Sequence, residues 1–147
     1  MIGLLQRVSS AEVLVGGTSI AAIGPGLLVL IGVEKDDSEI TADRLLERIV
    51  TYRVFADETG RMNVALREQG GSLLLVPQFT LAADTDKGRR PGFSSAASPD
   101  RGQYLFEYLS ANAKQQLTMV GTGQFGATMQ VRLTNEGPVT FWLQVNP

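Results

Sequence analysis

The sequence predicts a single α/β domain in which a mixed β-sheet carries two main helices on one side. The chain has 147 residues, of which 44% are apolar, and both values are ordinary for one globular domain with its own core. Strand-like segments come before, between and after two helical segments, which is the order of a mixed-sheet α/β domain. No linker, repeat or low-complexity segment interrupts residues 1–147, so we expect one domain.

The first third of the chain is predicted to form β-hairpins. Leu4–Val8 and Val13–Val15 are short apolar runs, and Gly16-Gly17 predicts a turn before a strand at Thr18–Ile23. The run Leu27–Val33 is apolar at every position except Gly32, which indicates a strand covered on both faces.

Two helices are predicted from caps and spacing. Ser38 is a candidate N-cap for the first, and Ser98 followed by Pro99 is a stronger start signal for the second. Each helix has an apolar stripe at helical spacing, and the simplest reading of both stripes is core packing. The stripes consist of Leu45, Ile49 and Tyr52 in the first helix and of Leu105, Leu109, Ala113 and Leu117, with Tyr104 and Tyr108, in the second.

The remaining segments complete the sheet. A strand at Val54-Phe55, a turn at 57–60 and a strand at Ser72–Val76 lie between the helices, and strands at Met129–Leu133 and Val139–Val145 follow them. A small sheet of this kind has edge strands, and covering them by dimerisation is a common solution.

Two residue types are absent, and their absence limits the chemistry. The chain has neither cysteine nor histidine, which excludes disulfides, zinc sites built on these residues, a thiolate nucleophile and a Ser-His-Asp triad. A hydrolase of this composition would have to use paired carboxylates, a Ser or Thr with Lys, a hard metal on carboxylates, or a group on the substrate itself.

Charge is unevenly distributed. The net charge is −2, so the molecule as a whole does not indicate nucleic-acid binding. Lys87, Arg89 and Arg90 nevertheless fall within four positions of a Gly- and Pro-containing loop. Such a cluster is either a solvated loop or a phosphate contact. The nearby Asp84 and Asp86 favour charge balance over metal ligation, so no metal is expected.

The N-terminus lacks the basic start and long apolar stretch of a signal peptide. No apolar run approaches the length of a membrane span. We therefore expect a cytoplasmic protein with no membrane partner.

Two further segments are candidates for a functional site. Gln78, Phe79 and Thr80 follow an apolar strand, and strand periodicity would place Gln78 and Thr80 on one side and Phe79 on the other. Backbone N–H groups at such a strand end can stabilise a developing oxyanion. The second segment is 135–140, in which Gly137-Pro138 opens a strand and is either a plain turn or a cis peptide.

Taken together, these motifs resemble the D-aminoacyl-tRNA deacylase family over essentially the whole chain. The family signature is a Ser-Gln-Phe-Thr segment together with an Asn-x-Gly-Pro-Val-Thr segment. The second is complete at 135–140, whereas the first departs from the pattern because Pro77 replaces the serine. Proline offers neither a hydroxyl nor an N–H, so no role of that serine is carried over. The resemblance also rests on Arg7-Val8, Gly26–Leu30, Asp57–Asn63, Gly88–Pro91 and Gly123–Ala127.

The resemblance implies a fold, an assembly and a substrate. It implies a barrel-like, three-layer α/β/β subunit that forms homodimers, binds aminoacyl-tRNA but not DNA, and needs no cofactor. The expected reaction is hydrolysis of the ester of D-aminoacyl-tRNA, and of glycyl-tRNA mischarged on tRNA(Ala). A cis Gly137-Pro138 peptide would reach across to the partner's site and reject L-amino acids. The alternative is a non-catalytic, dimeric RNA-binding protein, which only the loss of the motif serine favours.

Roles for individual residues follow from the same resemblance. Gln78, Phe79 and Thr80 would form the catalytic segment, and Lys87, Arg89 and Arg90 would contact tRNA. Thr80 is either the nucleophile or a shaping residue, with the 2′-hydroxyl of the terminal ribose assisting hydrolysis. Because an unactivated hydroxyl is a poor nucleophile and no base is evident beside Thr80, the histidine-free composition favours the second account.

Overall fold

The computed structural model describes residues 1–147. Eight strands form a six-stranded, barrel-like sheet and a separate two-stranded sheet. The main sheet has the strand order β2-β1-β3-β6-β7, and β8 pairs with β1. The strands are β1 (Ile2–Val15), β2 (Thr18–Ile23), β3 (Gly26–Gly32), β4 (Arg53–Ala56), β5 (Met62–Ala65), β6 (Ser72–Pro77), β7 (Val120–Thr122) and β8 (Met129–Gln144).

Two helices lie against this sheet, as predicted. The helices are α1 (Glu39–Thr51) and α3 (Pro99–Gln116), with a four-residue helix α2 (Leu66–Gln69) that the sequence did not indicate. Ser38 caps α1 and shares a capping box with Thr41, and Ser98 caps α3 with Pro99 at its first position.

The sheet separates two apolar layers, which confirms the three-layer α/β/β arrangement. The side chains of Leu27, Leu73 and Leu75 pack with both helices in the larger core cluster. Leu28 and Leu74 point the other way and join a smaller cluster inside the curved sheet. Because strand side chains alternate between faces, the continuous apolar runs of β3 and β6 supply both layers. The helix residues in the larger cluster include Leu45, Leu46, Ile49, Leu105, Phe106 and Leu109.

In two places, a pair of predicted strands forms one long, continuous strand. β1 runs unbroken through the polar residues Ser9 and Ser10, and β8 runs through the Gly137-Pro138 pair that the sequence suggested as the opening of a strand. β1 can continue because it pairs with β3 through residues 2–8, with β2 through residues 11–15 and with β8 along most of its length. Local sequence does not show such long-range pairing.

The parallel part of the sheet positions the candidate site. β3 pairs in parallel with β6, and β6 pairs in parallel with β7, so the carboxyl ends of all three strands lie at one edge. Ligands of α/β proteins commonly bind outside such an edge. The chain leaves β6 there at Pro77.

A charged cluster is buried beside this edge. The Met1 ammonium donates hydrogen bonds to an Asp37 carboxylate oxygen at 2.7 Å, to Glu34 at 2.9 Å and to the Val145 carbonyl at 2.7 Å. Burial raises the pKa of the Asp37 carboxyl, although the hydrogen bond from the ammonium opposes that rise.

No helix in the structure combines the length and apolar character that crossing a bilayer requires.

Candidate functional site

The segment after β6 is a turn, not the extended strand end that periodicity predicted. Gln78 has φ −142° and ψ 81°, and Phe79–Ala82 form a 3₁₀ turn. The expected alternation, with Phe79 opposite Gln78 and Thr80, is therefore wrong, because the Leu81 N–H bonds to the Gln78 carbonyl at 3.2 Å and closes the turn. The turn still brings the two polar side chains together, since Gln78 Nε2 donates a hydrogen bond to Thr80 Oγ1.

Pro77 is compatible with this geometry. It stands in register with Ile31 of the parallel strand β3, but the N–H that reaches the Ile31 carbonyl, at 2.7 Å, belongs to Gln78. A proline at 77 therefore removes no hydrogen bond between β6 and β3, and the segment keeps its path on that side although the serine of the family signature is missing.

A pocket of about 440 Å³ opens beside Gln78 and Phe79. It lies between the carboxyl ends of the parallel strands and the N-terminal turn of α3, and ten of its sixteen lining residues are hydrophobic. Ligand pockets are typically concave and apolar with a few placed polar groups, and Gln78 supplies such a group here. Its walls include three phenylalanine rings and one thioether, those of Phe79, Phe106, Phe125 and Met129.

Thr80 has no base next to it. Its Oγ1 accepts from the Gln78 amide, and an amide donor cannot take up the threonine proton. The N–H groups of Phe79 and Thr80 precede the first hydrogen bond of the 3₁₀ turn, which begins at the Leu81 N–H. The segment thus offers N–H groups and no activated nucleophile.

The basic loop is anchored close to this segment. Asp84 and Gly92 exchange two backbone hydrogen bonds of 2.7 and 2.9 Å, which close the loop carrying Lys87, Arg89 and Arg90. All three basic residues are exposed. Just beyond the loop, the Phe93 ring packs against the Phe79 ring with 5.1 Å between centroids. The structure therefore places the basic cluster beside the Gln78–Thr80 turn.

The Asn135–Thr140 motif forms a bulge in the β1–β8 ladder. Gln6 pairs with Thr140 and Val8 pairs with Asn135, so residues 136–139 stand opposite Arg7 alone. Asn135 bridges the bulge, because its Oδ1 accepts from the Val139 N–H at 3.0 Å and its Nδ2 donates to Thr140 Oγ1 at 2.9 Å. The Gly137-Pro138 peptide within the bulge is cis, and both residues are exposed.

Arg7 is a residue whose contribution sequence reasoning missed. Its Nε donates to the Glu136 carbonyl at 3.1 Å and its Nη1 to the Val54 carbonyl at 2.8 Å, so it ties the bulge to β4. Its place opposite the motif depends on the register of β1 and β8. The only sequence signal was its position among the residues that carry the family resemblance.

One chain does not bring the two motifs together. Arg7, opposite the bulge, pairs with Leu27, whereas Pro77 pairs with Ile31 four residues further along β3. β1 and β3 also lie between β8 and β6. From about 3.3 Å per residue and about 4.8 Å per strand, the motifs are roughly 20 Å apart along the sheet. Within one chain the two motifs are therefore well separated.

Comparison with known proteins gives a consistent picture. Residues 4–144 match the family model described as D-Tyr-tRNA(Tyr) deacylase. A D-aminoacyl-tRNA deacylase of Thioalkalivibrio sulfidiphilus is 60% identical over 147 residues, with 100% of this chain and 99% of the relative covered. The same enzyme of Nitrosococcus oceani is 58% identical over 147 residues, covering 100% of this chain and 95% of the relative. That of Klebsiella pneumoniae is 57% identical over 145 residues, covering 99% and 100%.

Two solved structures share the fold. One, titled c-Myc DNA Unwinding Element Binding Protein, has a TM-score of 0.95 and 33% identity, with both chains fully covered. The other, titled a probable eukaryotic D-amino acid tRNA deacylase, has a TM-score of 0.87 at 18% identity, covers 98% of each chain and supports the fold alone. With a family model matching nearly the whole length and relatives near 60% identity, the chain belongs to the D-aminoacyl-tRNA deacylase family.

Proposed function

We propose that this protein hydrolyses the ester between a D-amino acid and the terminal adenosine of tRNA, and that it also removes glycine mischarged on tRNA(Ala). The observation that carries this proposal is the Gln78–Thr80 turn beside an apolar pocket at the carboxyl edge of the parallel strands. Membership of the deacylase family agrees with it.

The pocket is suited to the terminal adenine. Its walls present the rings of Phe106 and Phe125 and the thioether of Met129, and aromatic side chains are effective stacking partners for an unpaired base. With the base there, the ribose and its ester would lie at the rim beside Gln78 and Thr80. The basic loop would meet the tRNA phosphates from the same side, through Lys87, Arg89 and Arg90.

In the proposed reaction the protein positions the ester and the substrate supplies part of the chemistry. Water attacks the ester carbonyl carbon, and the bond to the ribose 3′-oxygen breaks to give free amino acid and tRNA. Backbone N–H groups at Phe79 and Thr80 would stabilise the negative charge that develops on the carbonyl oxygen. The ribose 2′-hydroxyl assists the proton transfers, while Thr80, held by Gln78, shapes the site.

Chiral selection would come from the Gly137-Pro138 bulge of a second copy. The bulge is exposed, is braced by Arg7 and Asn135, and lies far from the Gln78–Thr80 turn of its own chain. In a homodimer it would line the partner's site, where its carbonyl oxygens crowd the position of an L side chain. A site that works by exclusion in this way accepts D-amino acids broadly, and glycine as well.

Deacylation of D-tyrosyl-, L-tyrosyl- and mischarged glycyl-tRNA(Ala), with and without a chelator, tests the function. We expect hydrolysis of the D-tyrosyl and glycyl esters at least 100-fold faster than of the L-tyrosyl ester, because excluding a side chain by clash costs several kcal/mol, and no effect of the chelator. Tight tRNA binding without hydrolysis would instead show a non-catalytic RNA-binding protein. Loss of activity with the chelator would show a metal hydrolase. A DNA duplex added as competitor should leave the rate unchanged.

A further inference from the structure

A second, larger pocket adjoins the first. It is an open groove of about 710 Å³ between the outer face of α3, Ile20 of β2 and residues 122–125 at the end of β7. Phe106 and Phe125 line both pockets, so the two spaces lie on either side of the same aromatic wall. The second pocket sits at the seam of the barrel, where β2 and β7 are the end strands of the hydrogen-bonded order.

The second pocket differs from the first in polarity. Only four of its eleven lining residues are hydrophobic. Gln103, Glu107, Ser110 and Lys114 follow one another at intervals of four, three and four residues and therefore form one stripe along α3. Thr122 and Gln124 face them across the space. Gln103, Glu107 and Lys114 are exposed and Ser110 is buried, so the stripe forms a polar wall of the pocket.

Ser110 gives the clearest indication of a ligand. The residue is only 6% exposed, and its hydroxyl has no hydrogen-bond partner in the protein. Buried hydroxyl groups nearly always have a partner, and each exception needs an explanation. Since Ser110 lines the pocket, a polar ligand group bound there would satisfy it.

The surrounding groups identify the chemical class of that ligand. Lys114 is exposed and makes no ion pair within the chain, which leaves its ammonium free for a phosphate. Glu107 accepts a 2.9 Å hydrogen bond from Gln103 and keeps further acceptor positions. A carboxylate is a good acceptor for the exocyclic amino group of cytosine, and the Phe125 ring offers a stacking surface.

Spacing along the helix fits one nucleotide. Seven residues, or about 10 Å of helix, separate Lys114 from Glu107, so the phosphate and the amino edge of the base can each reach one of them. Uracil presents a carbonyl oxygen where cytosine presents its amino group, and this oxygen would face the Glu107 carboxylate unfavourably. The site should therefore prefer cytidine.

We propose that this second pocket binds the cytidine that immediately precedes the terminal adenosine at the 3′ end of tRNA. The inference rests on the proposed function, which places the adenine on the other side of Phe125. The protein would then bind two successive nucleotides on opposite sides of one aromatic wall. It would select cytidine at the position before the terminal adenosine.

Short substrates test this directly. D-tyrosyl esters of adenosine, of cytidylyl-adenosine and of uridylyl-adenosine are compared by kcat/KM. For the wild-type protein we expect kcat/KM for the cytidylyl ester to exceed that for the adenosine ester by about fivefold or more, which is the low end of what one stacked base contributes. The uridylyl ester should fall between the two.

Two variants locate the effect. Ser110→Ala and Glu107→Gln should lose most of the cytidylyl advantage while cleaving the adenosine ester as the wild type does. Asp100→Asn, on the same helix but outside the pocket, should keep the full advantage. Removing an unpartnered hydroxyl should not lower the unfolding temperature of Ser110→Ala.

The outcomes separate this inference from the proposed function. Equal kcat/KM for the adenosine and cytidylyl esters, or an unchanged advantage in both pocket variants, overturns the cytidine site and leaves the deacylase activity standing. Absence of cleavage of every D-tyrosyl ester, with full-length tRNA included, overturns both.

Discussion

The side chain of Thr80 is held by a donor, and this decides what it can contribute. Gln78 Nε2 donates to Thr80 Oγ1, so the hydroxyl has the partner of a positioned binding group. A nucleophilic hydroxyl needs a neighbouring base to take its proton. The Gln78–Thr80 pair therefore fits a site that shapes and orients the ester.

Thr80→Ala should reduce kcat by about five- to tenfold, because one net hydrogen bond contributes about 1 kcal/mol. Removal of a true nucleophile would cost on the order of 10⁴-fold or more. Single-turnover deacylation of D-tyrosyl-tRNA measures the loss, with Thr80→Ser as the matched variant that restores the hydroxyl. A terminal 2′-deoxyribose should slow the reaction more than Thr80→Ala does. An aminoacyl ester trapped on Thr80 would contradict the positioning role.

At the scale of elements, the loop between Asp84 and Gly92 is a closed unit beside the site. Its two backbone hydrogen bonds fix its base, and Phe93 joins it to Phe79. The three cations at its tip are exposed on a molecule whose net charge is −2. Attraction of tRNA phosphates therefore has to come from a local patch.

Changing Arg89 and Arg90 together to alanine should raise KM for D-aminoacyl-tRNA several-fold and affect kcat less. The slope of log KM against log salt concentration should fall by about 1 to 2, since each lost phosphate contact lowers it by about 0.7 to 0.9. The double variant Arg44→Ala, Arg53→Ala removes the same charge from exposed positions outside the loop and serves as the control. Equal salt slopes in the two double variants would argue against phosphate contact by the loop.

The β4–β5 turn illustrates stabilisation by a single carboxylate. The hydrogen bond from the Thr59 hydroxyl, followed by those from Asn63 and the Arg61 N–H, lowers the pKa of Asp57 from 3.8 to about 2. Because the folded pKa lies below the unfolded one, Asp57 stabilises the fold above pH 3.8, and this contribution disappears as the pH falls through about 2.

Asp57→Asn should therefore lower the unfolding temperature most above pH 3.8, and its difference from the wild type should vanish near pH 2. Thermal unfolding followed by circular dichroism over this range measures the effect. Glu58→Gln removes a neighbouring exposed charge that makes no such hydrogen bonds, and it should leave the profile unchanged. A constant difference between Asp57→Asn and wild type at all pH values would show that the ionised form has no special role.

At the scale of the whole molecule, one chain keeps the two family motifs apart. The Gln78–Thr80 turn lies at the carboxyl edge of β6, while the Gly137-Pro138 bulge projects from the β1–β8 ladder. Closed twofold symmetry would bring the bulge of each copy to the turn of the other. We therefore predict that the active form is a homodimer with composite sites.

Subunit mixing measures this prediction. Gly137→Ala should be inactive, because Gly137 has a φ of +132° and an added Cβ would lie 2.7 Å from Val139 Cγ2. Gln78→Ala should also lose activity, because it removes the side chain that holds Thr80 in the turn. Mixed after mild dissociation, the two variants should regain about a quarter of wild-type activity, since half of the dimers are mixed and each has one intact site. Light scattering should show a dimer at micromolar concentration, and failure of complementation would place both motifs in the same subunit.

The sequence by itself determined the local features of this protein. The continuous apolar run Leu27–Val33 and the apolar stripes of the two helices predicted which faces are buried, except that Tyr104 is exposed. Ser38, and Ser98 with Pro99, marked where the helices begin. Gly16-Gly17 and Asp57–Gly60 marked turns. These features depend on neighbouring residues, through periodicity, capping and backbone conformation. The motif residues also identified the family before any geometry was known.

The tertiary structure alone decided the features that join distant residues. The continuity of β1 and β8, the bulge opposite Arg7 and the distance between the two motifs all follow from strand register, which links positions more than a hundred residues apart. The 3₁₀ turn at Phe79 replaced the expected strand end because β6 loses its parallel partner there. The lack of a hydrogen-bond partner for the Ser110 hydroxyl is also a tertiary feature. It depends on which strand the helix face meets, and the periodicity of the helix sequence does not predict that.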